Sequence, residues 1–206
     1  IILDVTRKNS NIEVFAKIVE AISSNCFIPI TAGGRLNRLE EVRVLLNTGI
    51  DKVLVNSALY KNNEFVYELS QEYGDQFIVG AVDFKRNNNG GYETLHTDGA
   101  IKSGESLFET LNRIKNLPIG DVMLNSINQD GTSNGLDLGC LNLLPKDFSK
   151  PLILAGGVGK STHVIEAFNS NKVNAIATGN LLNFVGDGLE IMRNEVRSAG
   201  INLPKW

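Results

Sequence analysis

Two copies of one pattern, 123 residues apart, constrain the fold of this chain more than any other feature. The first copy covers residues 30–59 and the second covers residues 153–182. They align without a gap, so that the triplet Ala-Gly-Gly at 32–34 falls on the same triplet at 155–157. A repeat of this length indicates that one supersecondary unit has been duplicated within a single fold.

Each copy is predicted to form a strand, a glycine turn, a helix and a second strand. In the first copy, an apolar run at 27–32 ends in two glycines, which allow a tight turn. Apolar residues then recur at helical spacing over 39–46, and a β-branched run follows at 52–56. Strands that alternate with amphipathic helices run parallel, which predicts an α/β fold.

The C-terminal ends of these strands form the predicted ligand-binding end of the sheet. Because parallel strands point the same way, both glycine turns and the polar residues after the next strands lie at this end. Backbone N–H groups exposed by glycines beside helix N-termini bind anions, so we expect two anion sites on opposite sides of a closed barrel. Their candidate residues are Gly34, Asn56 and Ser57 in the first half and Gly156, Gly157, Gly179 and Asn180 in the second.

Seven strands are predicted, whereas a closed barrel of this type has eight. They lie near residues 1–5, 27–32, 52–56, 76–82, 120–125, 151–155 and 174–178. If the repeat extends over a whole half-barrel, the first unit would begin about 46 residues before Ile1. The prediction is therefore an α/β fold, a (βα)8 TIM barrel of two duplicated half-barrels, in which residues 1–206 form one domain with strands two to eight and the first β/α unit is missing. The alternative is a natural seven-stranded variant, which would leave two sheet edges unpaired.

The composition fits one large core and argues against several classes of function. Hydrophobic residues make up 42% of the 206 residues. A net charge of −3, with scattered basic residues and no apolar run of transmembrane length, gives no reason to expect nucleic acid or membrane binding. Cys26 and Cys140 lack metal-binding spacing and the chain has only two histidines, so neither a metal nor a cofactor is expected. Reduced thiols predict a cytoplasmic protein.

Asp83 is the leading catalytic candidate. It follows an apolar strand at 76–82, which delivers its carboxylate to the ligand-binding end. Partial burial at this place would raise the pKa of the carboxyl group toward the range that suits proton transfer. Lys85 and Arg86 offer an alternative, in which Asp83 forms a structural salt bridge.

Two further charged residues lie at the same end. Asp4 ends the first strand, where it either contacts the ligand or organises its loop by accepting backbone hydrogen bonds. Arg35 follows the first pair of glycines, and a guanidinium beside exposed amides would hold a phosphate or carboxylate by paired hydrogen bonds. The alternative for Arg35 is an exposed residue at the N-terminus of the next helix.

Two polar segments complete the candidate site. Residues 92–96, flanked by turn residues, are predicted to form a hairpin that projects over the ligand-binding end. The loop at 126–137 is rich in Asp, Asn, Ser, Thr and Gly, which suits a polar ligand, and we assign Gly131 and Thr132 to substrate binding. Asp130 in this loop is the second catalytic candidate, as a base, as a hydroxyl acceptor or as a loop organiser.

Several stretches together carry a family resemblance over the whole chain. They are LDVT at 3–6, GG at 33–34, GIDKVLVNSAL at 49–59, VDFKR at 82–86, SINQDGTSNG at 126–135 and AGGVGK at 155–160. With these stretches the chain resembles the cyclase subunit of imidazole glycerol phosphate synthase, a histidine-biosynthesis (βα)8 barrel. Their combination is more specific than any single glycine pair.

The resemblance implies an ammonia-dependent cyclase or lyase. In this family an aspartate on the first strand and one on the fifth act as general acid and base, and the substrate carries a phosphate at each end. The first-strand aspartate has no counterpart in this sequence. Ammonia arrives through the barrel from a partner class-I glutaminase, which implies a heterodimer with the glutaminase at the N-terminal face. The fifth-strand aspartate of the family corresponds to Asp83, the sixth-strand loop aspartate to Asp130, and the first phosphate site to Asn56 and Ser57.

A paralogous branch of the same family offers an alternative function. It works beside an amidotransferase in bacterial surface-sugar (lipopolysaccharide) biosynthesis, where ammonia converts a sugar acetamido group to an amidine. The Tyr92-Glu93 hairpin, Arg35 in place of a third glycine, and Asn128 are similar to that branch. Two further alternatives are a non-catalytic barrel that serves as an ammonia conduit and a phosphosugar isomerase of the sister histidine-pathway barrel.

Overall fold

The computed structural model describes residues 1–6, 9–179 and 188–204, in which strands and helices alternate along most of the chain. The strands are β1 (Ile2–Leu3), β2 (Thr31–Gly33), β3 (Lys52–Val55), β4 (Ile78–Arg86), β5 (Tyr92–His96), β6 (Ile101–Ser106), β7 (Asp121–Ser126), β8 (Leu152–Ala155) and β9 (Ala175–Ala177). The α-helices are α1 (Ile12–Ser23), α2 (Leu39–Leu46), α3 (Ala58–Lys61), α4 (Asn63–Tyr73), α5 (Leu107–Ile114), α6 (Ser161–Asn169) and α7 (Gly188–Ser198), and 3-10 helices cover Asp75–Phe77 and Leu138–Leu143. None of the described helices combines the length and the apolar character needed to cross a membrane.

Within the described residues, seven strands form one parallel sheet in the order β1-β2-β3-β4-β7-β8-β9. The strands β5 and β6 form an antiparallel hairpin, and β5 pairs with the C-terminal half of β4. Parallel strands joined by helical crossovers confirm the predicted α/β barrel class. The strands β1 and β9 stand at the two ends of the order, and no ladder between them occurs in the described part of the chain. The single domain and the missing first unit stay predictions.

The strand registers repeat with the same offset as the sequence. In the β1–β2 pair Ile2 lies opposite Ala32, and in the β7–β8 pair Asn125 lies opposite Ala155. Both members of the second pair follow their counterparts by 123 residues. The duplication therefore extends to the strand that precedes each glycine turn.

The predicted start of β2 is wrong by several residues. The apolar run was expected to be a strand over 27–32, but the strand covers Thr31–Gly33 and the Phe27 side chain is fully exposed. Pro29 has no N–H group to donate to a ladder, so the chain before it cannot pair as an interior strand. Regular pairing begins only after Ile30, whose N–H donates to the Asp51 carboxylate at 2.7 Å.

Alternation along the strands separates an interior side from a side covered by helices. On β4, Ile78 and Val82 belong to the large core between sheet and helices. The smaller interior cluster consists of Leu54, Val79, Ala81, Met123 and Ala155. Because successive side chains point to opposite faces, Asp83 follows Val79 and Ala81 on the interior side, at the C-terminal end of the sheet.

The opposite end of the interior is closed by an ion pair. Lys52 and Asp121 are the first residues of β3 and β7, and each shares its face of the strand with an interior side chain, Leu54 and Met123 respectively. The Lys52 ammonium donates to the Asp121 carboxylate. The interior thus has a polar N-terminal end, an apolar middle and a polar C-terminal end.

Candidate active site

A cavity of about 310 Å³ opens at the C-terminal ends of β1, β2, β3, β4 and β7. Parallel strands bring these ends together, so residues that are distant in sequence share one wall. The predicted site residues that line it are Asp4, Gly34, Arg35, Asn56, Ser57 and Asp83. A concave site with a few convergent polar groups is the usual form of a small-molecule site.

Asp83 lies half-buried in the wall of this cavity. Its Oδ1 accepts a hydrogen bond from Nδ2 of Asn125 at 2.9 Å, and its Oδ2 accepts one from Nδ2 of Asn56 at 3.3 Å. Burial raises the pKa of the Asp83 carboxyl above its ordinary value, although the Asn125 hydrogen bond opposes this rise, and the negative charges of Asp98 and Asp130 add to it. A carboxyl group with a raised pKa is suited to proton transfer.

The structural salt bridge considered for Asp83 does not form. Lys85 pairs with Glu93 at 3.5 Å, and Arg86 pairs with Asp137 at 2.7 Å. Along β4 these two basic residues therefore have carboxylate partners of their own. The described hydrogen bonds to the Asp83 carboxylate come from two neutral amides, so no described cation pairs with it.

Asp4 both lines the cavity and organises its own loop. Its Oδ1 accepts from the backbone N–H of Thr6 at 2.9 Å and its Oδ2 accepts from the Ser10 hydroxyl at 2.5 Å. Burial alone would raise the pKa of Asp4, but the hydrogen bonds from Ser10 and Thr6 and the charge of Arg35 outweigh burial, so the pKa lies below its ordinary value. Asp4 is therefore a carboxylate acceptor and not a proton donor.

The first glycine turn passes directly over the end of β1. Gly34 adopts φ +104°, and a Cβ atom on it would lie 2.4 Å from the backbone oxygen of Asp4. Only glycine fits this approach without a shift of the backbone. The turn thereby holds the end of β1 and the end of β2 together at the cavity.

Asn56 and Ser57 connect the cavity wall to the hairpin. The Asn56 amide donates to the backbone oxygen of Ala81 at 3.0 Å, which fixes its orientation beside Asp83. The Ser57 hydroxyl accepts from the backbone N–H of Thr97 at 3.2 Å. Thr97 lies in the turn between β5 and β6, so the predicted projection of the hairpin over this end of the sheet is confirmed.

Arg35 is ion-paired across the cavity and is not a helix residue. Its Nη2 lies 2.8 Å from Oδ2 of Asp98, which belongs to the turn of the hairpin. Arg35 is exposed, as the alternative stated, but the helix α2 begins only at Leu39, so its placement at the N-terminus of that helix is wrong. Arg35 adopts φ +60° in the turn, a backbone region that non-glycine residues enter rarely.

The second-half candidates do not line this cavity. Asp130, Gly131 and Thr132 are exposed in the loop after β7, although the charge of Asp130 reaches Asp83. Gly156 and Gly157 are buried in the turn after β8, and Gly179 is exposed after β9. Asn180 lies outside the described residues. The structure therefore brings the first-half candidates together and leaves the second-half candidates apart from them.

The second glycine turn is covered by the loop that precedes it. The N–H of Gly135 donates to the backbone oxygen of Gly157 at 2.8 Å. A Cβ atom on Gly157 would lie 2.1 Å from the backbone oxygen of Gly135, and one on Gly159 would lie 2.5 Å from that of Ser133. Glycine at these positions permits the contact between the loop and the turn.

The described residues contain no group of three or more His, Cys, Asp or Glu side chains that could hold a metal ion. Cys26 is a half-buried free thiol and Cys140 a buried one. Burial raises the pKa of the Cys140 thiol to about 12, which keeps it protonated and unreactive at neutral pH.

Five polar lining residues were missed by sequence reasoning: Asn37, Lys61, Thr97, Asp98 and Asn125. Asn125 is the last interior-facing residue of β7, so the period of two along that strand could have identified it. Lys61 lies one helical turn after Ser57, a position that spacing alone does not mark. Thr97 and Asp98 lie in the turn of the predicted hairpin, but the sequence did not indicate that their side chains reach the cavity.

The parallel β/α units, with a cavity at the C-terminal ends of the strands, place the protein in the (βα)-barrel class. A family model described as "Histidine biosynthesis protein" matches residues 1–186, and the chain belongs to this family. A protein of Parasynechococcus marenigrum (strain WH8102) is 37% identical over 207 residues, which cover 100% of this chain and 77% of that protein. It is named "Putative imidazole glycerol phosphate synthase subunit hisF2". The family resemblance inferred from the motifs is confirmed.

Proposed function

We propose that this chain is the ammonia-using barrel subunit of a synthase, with Asp83 as its proton-transferring group. Ammonia forms a bond to an imine or amide carbon of the bound substrate, and the π electrons of that C=N or C=O bond pass to its nitrogen or oxygen, which is protonated. The Asp83 carboxylate accepts the proton that the attacking nitrogen loses. A class-I glutaminase at the N-terminal face of the barrel supplies the ammonia. The relative that is named a synthase subunit supports the presence of such a partner.

The environment of Asp83 is the observation that carries this proposal. It is the cavity carboxylate with a raised pKa, and two amides orient it without neutralising its charge. Asp4, by contrast, has a lowered pKa and is occupied by its own loop. Two carboxylates with pKa values moved in opposite directions take different roles, one in proton transfer and the other in binding or positioning.

The interior supports a route for ammonia from the opposite end. Between the Lys52–Asp121 pair and Asp83 lie the apolar side chains of Leu54, Val79, Ala81 and Met123. An apolar passage favours neutral ammonia over ammonium, because burying a charge costs far more than burying a neutral polar molecule. Ammonia that arrives uncharged is the nucleophilic form.

The test of the catalytic role is Asp83→Asn in the longest natural form of the chain, supplied with ammonium ions and the histidine-pathway bis-phosphate intermediate. We expect turnover to fall by about 100-fold or more, since a positioned acid or base contributes about this much. Circular dichroism and the melting temperature report whether the fold is kept. Asp147→Asn removes an exposed carboxylate that pairs with Lys115 and is the matched control. Unchanged turnover in Asp83→Asn would remove Asp83 from the mechanism.

A second candidate substrate is a sugar whose acetamido group is converted to an amidine. The Arg35–Asp98 ion pair favours this candidate, because it places a carboxylate where the bis-phosphate would put a phosphate. If a folded and complete barrel turns over the bis-phosphate with ammonium, the cyclase function is correct. If it does not, amidination of an acetamido sugar in the presence of the glutaminase is the next assay.

A further inference from the structure

The first glycine turn already holds a carboxylate of the protein. Asp98 in the β5–β6 turn reaches the guanidinium of Arg35 at 2.8 Å, and both residues line the cavity. The guanidinium is the group that the sequence assigned to a phosphate or carboxylate of the ligand. Its described ion-pair partner comes instead from a segment 63 residues further along the chain.

The turn that carries Asp98 is anchored through the two residues that precede it. The N–H of Thr97 donates to the Ser57 hydroxyl at 3.2 Å, and Nδ1 of His96 lies 2.9 Å from the Thr97 hydroxyl. The His96 ring also packs against Tyr60, with 5.2 Å between the ring centroids. These contacts hold the tip of the hairpin at the cavity mouth, so the position of the Asp98 carboxylate is built into the fold.

The charges around the cavity disfavour a dianion. Its ionisable lining groups are the carboxyl groups of Asp4, Asp83 and Asp98 and the cationic groups of Arg35 and Lys61. Carboxylates therefore outnumber cations, and Lys61 directs its ammonium to the Thr97 hydroxyl at 3.5 Å. A site for phosphate normally presents unpaired cations and free N–H groups.

We propose that Asp98 sets the class of ligand at the first glycine turn: by pairing with Arg35 it fills the anion position, so that this end of the cavity takes a neutral hydroxyl or amide group instead of a phosphate. The proposal rests on the proposed function only in taking this cavity as the substrate site. It makes Asp98 and Arg35 specificity-determining residues and favours a sugar over a substrate with a phosphate at each end. The neutral group of the ligand would accept hydrogen bonds from donors at Gly34 and Ser57 and donate one to the Asp98 carboxylate.

The test is a titration with inorganic phosphate at constant ionic strength, followed by the amide NMR signals of Gly34 and Ser57. For the unaltered chain we expect these signals to report a dissociation constant for phosphate above about 10 mM. In Asp98→Asn, Arg35 is released and phosphate should bind at least about tenfold more tightly, because one negative charge next to the site is removed. Adding Arg35→Ala to Asp98→Asn should abolish this gain.

Controls separate local from general effects. Asp98 adopts φ +57°, so Asp98→Gly removes the whole side chain at a position that suits glycine and serves as the second variant. Asp147→Asn changes the net charge equally at a side chain that is 70% exposed and paired with Lys115, and it should leave the phosphate affinity unchanged. The amide signal of Gly157 reports any phosphate bound at the second turn.

Three results would overturn the proposal. The first is a dissociation constant for phosphate below about 10 mM at Gly34 in the unaltered chain. The second is a gain in phosphate affinity smaller than tenfold in both Asp98 variants, and the third is a gain in affinity that persists when Arg35→Ala is added. The readout requires neither ammonia nor turnover. Failure of the Asp83 experiment would therefore leave this result standing, and failure of the phosphate experiment would leave the role of Asp83 standing.

Discussion

Two amide side chains determine what the Asp83 carboxyl group can do. Asn125 donates to one of its oxygens at 2.9 Å and Asn56 to the other at 3.3 Å. Donors to the charged form lower a carboxyl pKa, whereas burial raises it, and here burial is the larger influence. The hydrogen bond from Asn125 limits the rise of the Asp83 pKa, so this pKa depends on Asn125.

Replacing Asn125 with Ala should move the acidic limb of the pH–rate profile. A base is active when deprotonated, so turnover is lost as the pH falls through the raised pKa of Asp83. Without the Asn125 donor the charged form loses stabilisation, and we expect the limb to move to higher pH. The measurement is the ratio kcat/KM against pH at a constant concentration of free ammonia. Asn25→Ala, at an exposed position after α1, is the control.

A shift of the limb toward lower pH in Asn125→Ala, or no shift, would show that Asp83 is not the group that titrates. A loss of activity at every pH would in addition assign Asn125 to substrate binding, whether or not the limb moves. Only the position of the acidic limb, and not the overall activity, tests whether Asn125 lowers the pKa of Asp83.

At this scale the sequence predicted strand-end residues better than the residues that meet them. Asp83 could be found because an apolar strand runs directly into it. Asp98 could not, since its contact with Arg35 depends on how the hairpin folds back and on positive φ angles at Arg35, Thr97 and Asp98. Side chains brought together by turns leave no periodic pattern in the sequence.

At the scale of elements, the hairpin and the loop after β7 are tied to β4 by one buried carboxylate. Asp137, whose side chain is 2% exposed, accepts from Arg86 at 2.7 and 2.9 Å and from the Tyr92 hydroxyl at 2.7 Å. The Asn128 side chain accepts from the backbone N–H of Arg86 at 2.7 Å. Three segments that surround the site therefore share one set of hydrogen bonds.

Asp137→Asn should destabilise the fold by about 2 kcal/mol at neutral pH, less than for a fully buried ion pair because the Arg86 side chain is 55% exposed. Burial raises the pKa of Asp137, but the hydrogen bonds from Arg86 and Tyr92 outweigh it and lower the pKa below its ordinary value. The stabilisation is therefore present above the ordinary carboxyl pKa of about 4 and is lost as the pH falls through the lowered pKa. Urea unfolding of both chains from neutral to acid pH measures it.

The difference in unfolding free energy between Asp137→Asn and the unaltered chain should shrink on acidification. A difference that is independent of pH would mean that lost packing, and not the lost charge, is responsible. The control is Asp147→Asn, which removes a carboxylate that is 70% exposed and should leave the unfolding free energy nearly unchanged.

Element order was predictable because hydrophobic period and glycine turns are local, and boundaries were less so. The strand β2 begins at Thr31 instead of 27, since Pro29 prevents pairing that the apolar run alone suggested. The strand β4 extends to Arg86, beyond the predicted end at 82, because its C-terminal half pairs with β5. That pairing depends on the hairpin, which the spacing of turn residues did indicate.

For the whole molecule, the two halves share a strand register but differ in how their glycine turns are covered. Ile2 opposite Ala32 and Asn125 opposite Ala155 show the common backbone. The cavity nevertheless opens on the first-half turn, whereas the loop ending at Gly135 lies on the second-half turn at Gly157. Duplication predicted two equivalent anion sites, and what differs between them is the length and packing of the loops.

The proposed passage for ammonia through the interior would begin at the Lys52–Asp121 pair, which lies at the end of the sheet opposite to Asp83. Its side chains are 37% and 18% exposed, so replacing both by apolar residues, Lys52→Met with Asp121→Leu, should change stability by only about 1 kcal/mol. Ammonium-driven turnover by the chain alone should be unchanged, because ammonia then reaches the cavity from solvent.

Glutamine-driven turnover with the glutaminase should fall several-fold in the Lys52→Met, Asp121→Leu chain, on the order of 1 kcal/mol in the barrier, because ammonia loses the polar groups that solvate it at the entrance. Released ammonia in the medium should rise by the same proportion. The pair of Lys115 and Asp147, whose side chains are 18% and 70% exposed, is replaced by Met and Ala as the control for charge, which should leave both rates unchanged. If both substituted chains keep the glutamine-driven rate, ammonia does not enter past Lys52 and Asp121. A fall of the ammonium-driven rate as well would instead show that the pair acts on the cavity through the fold.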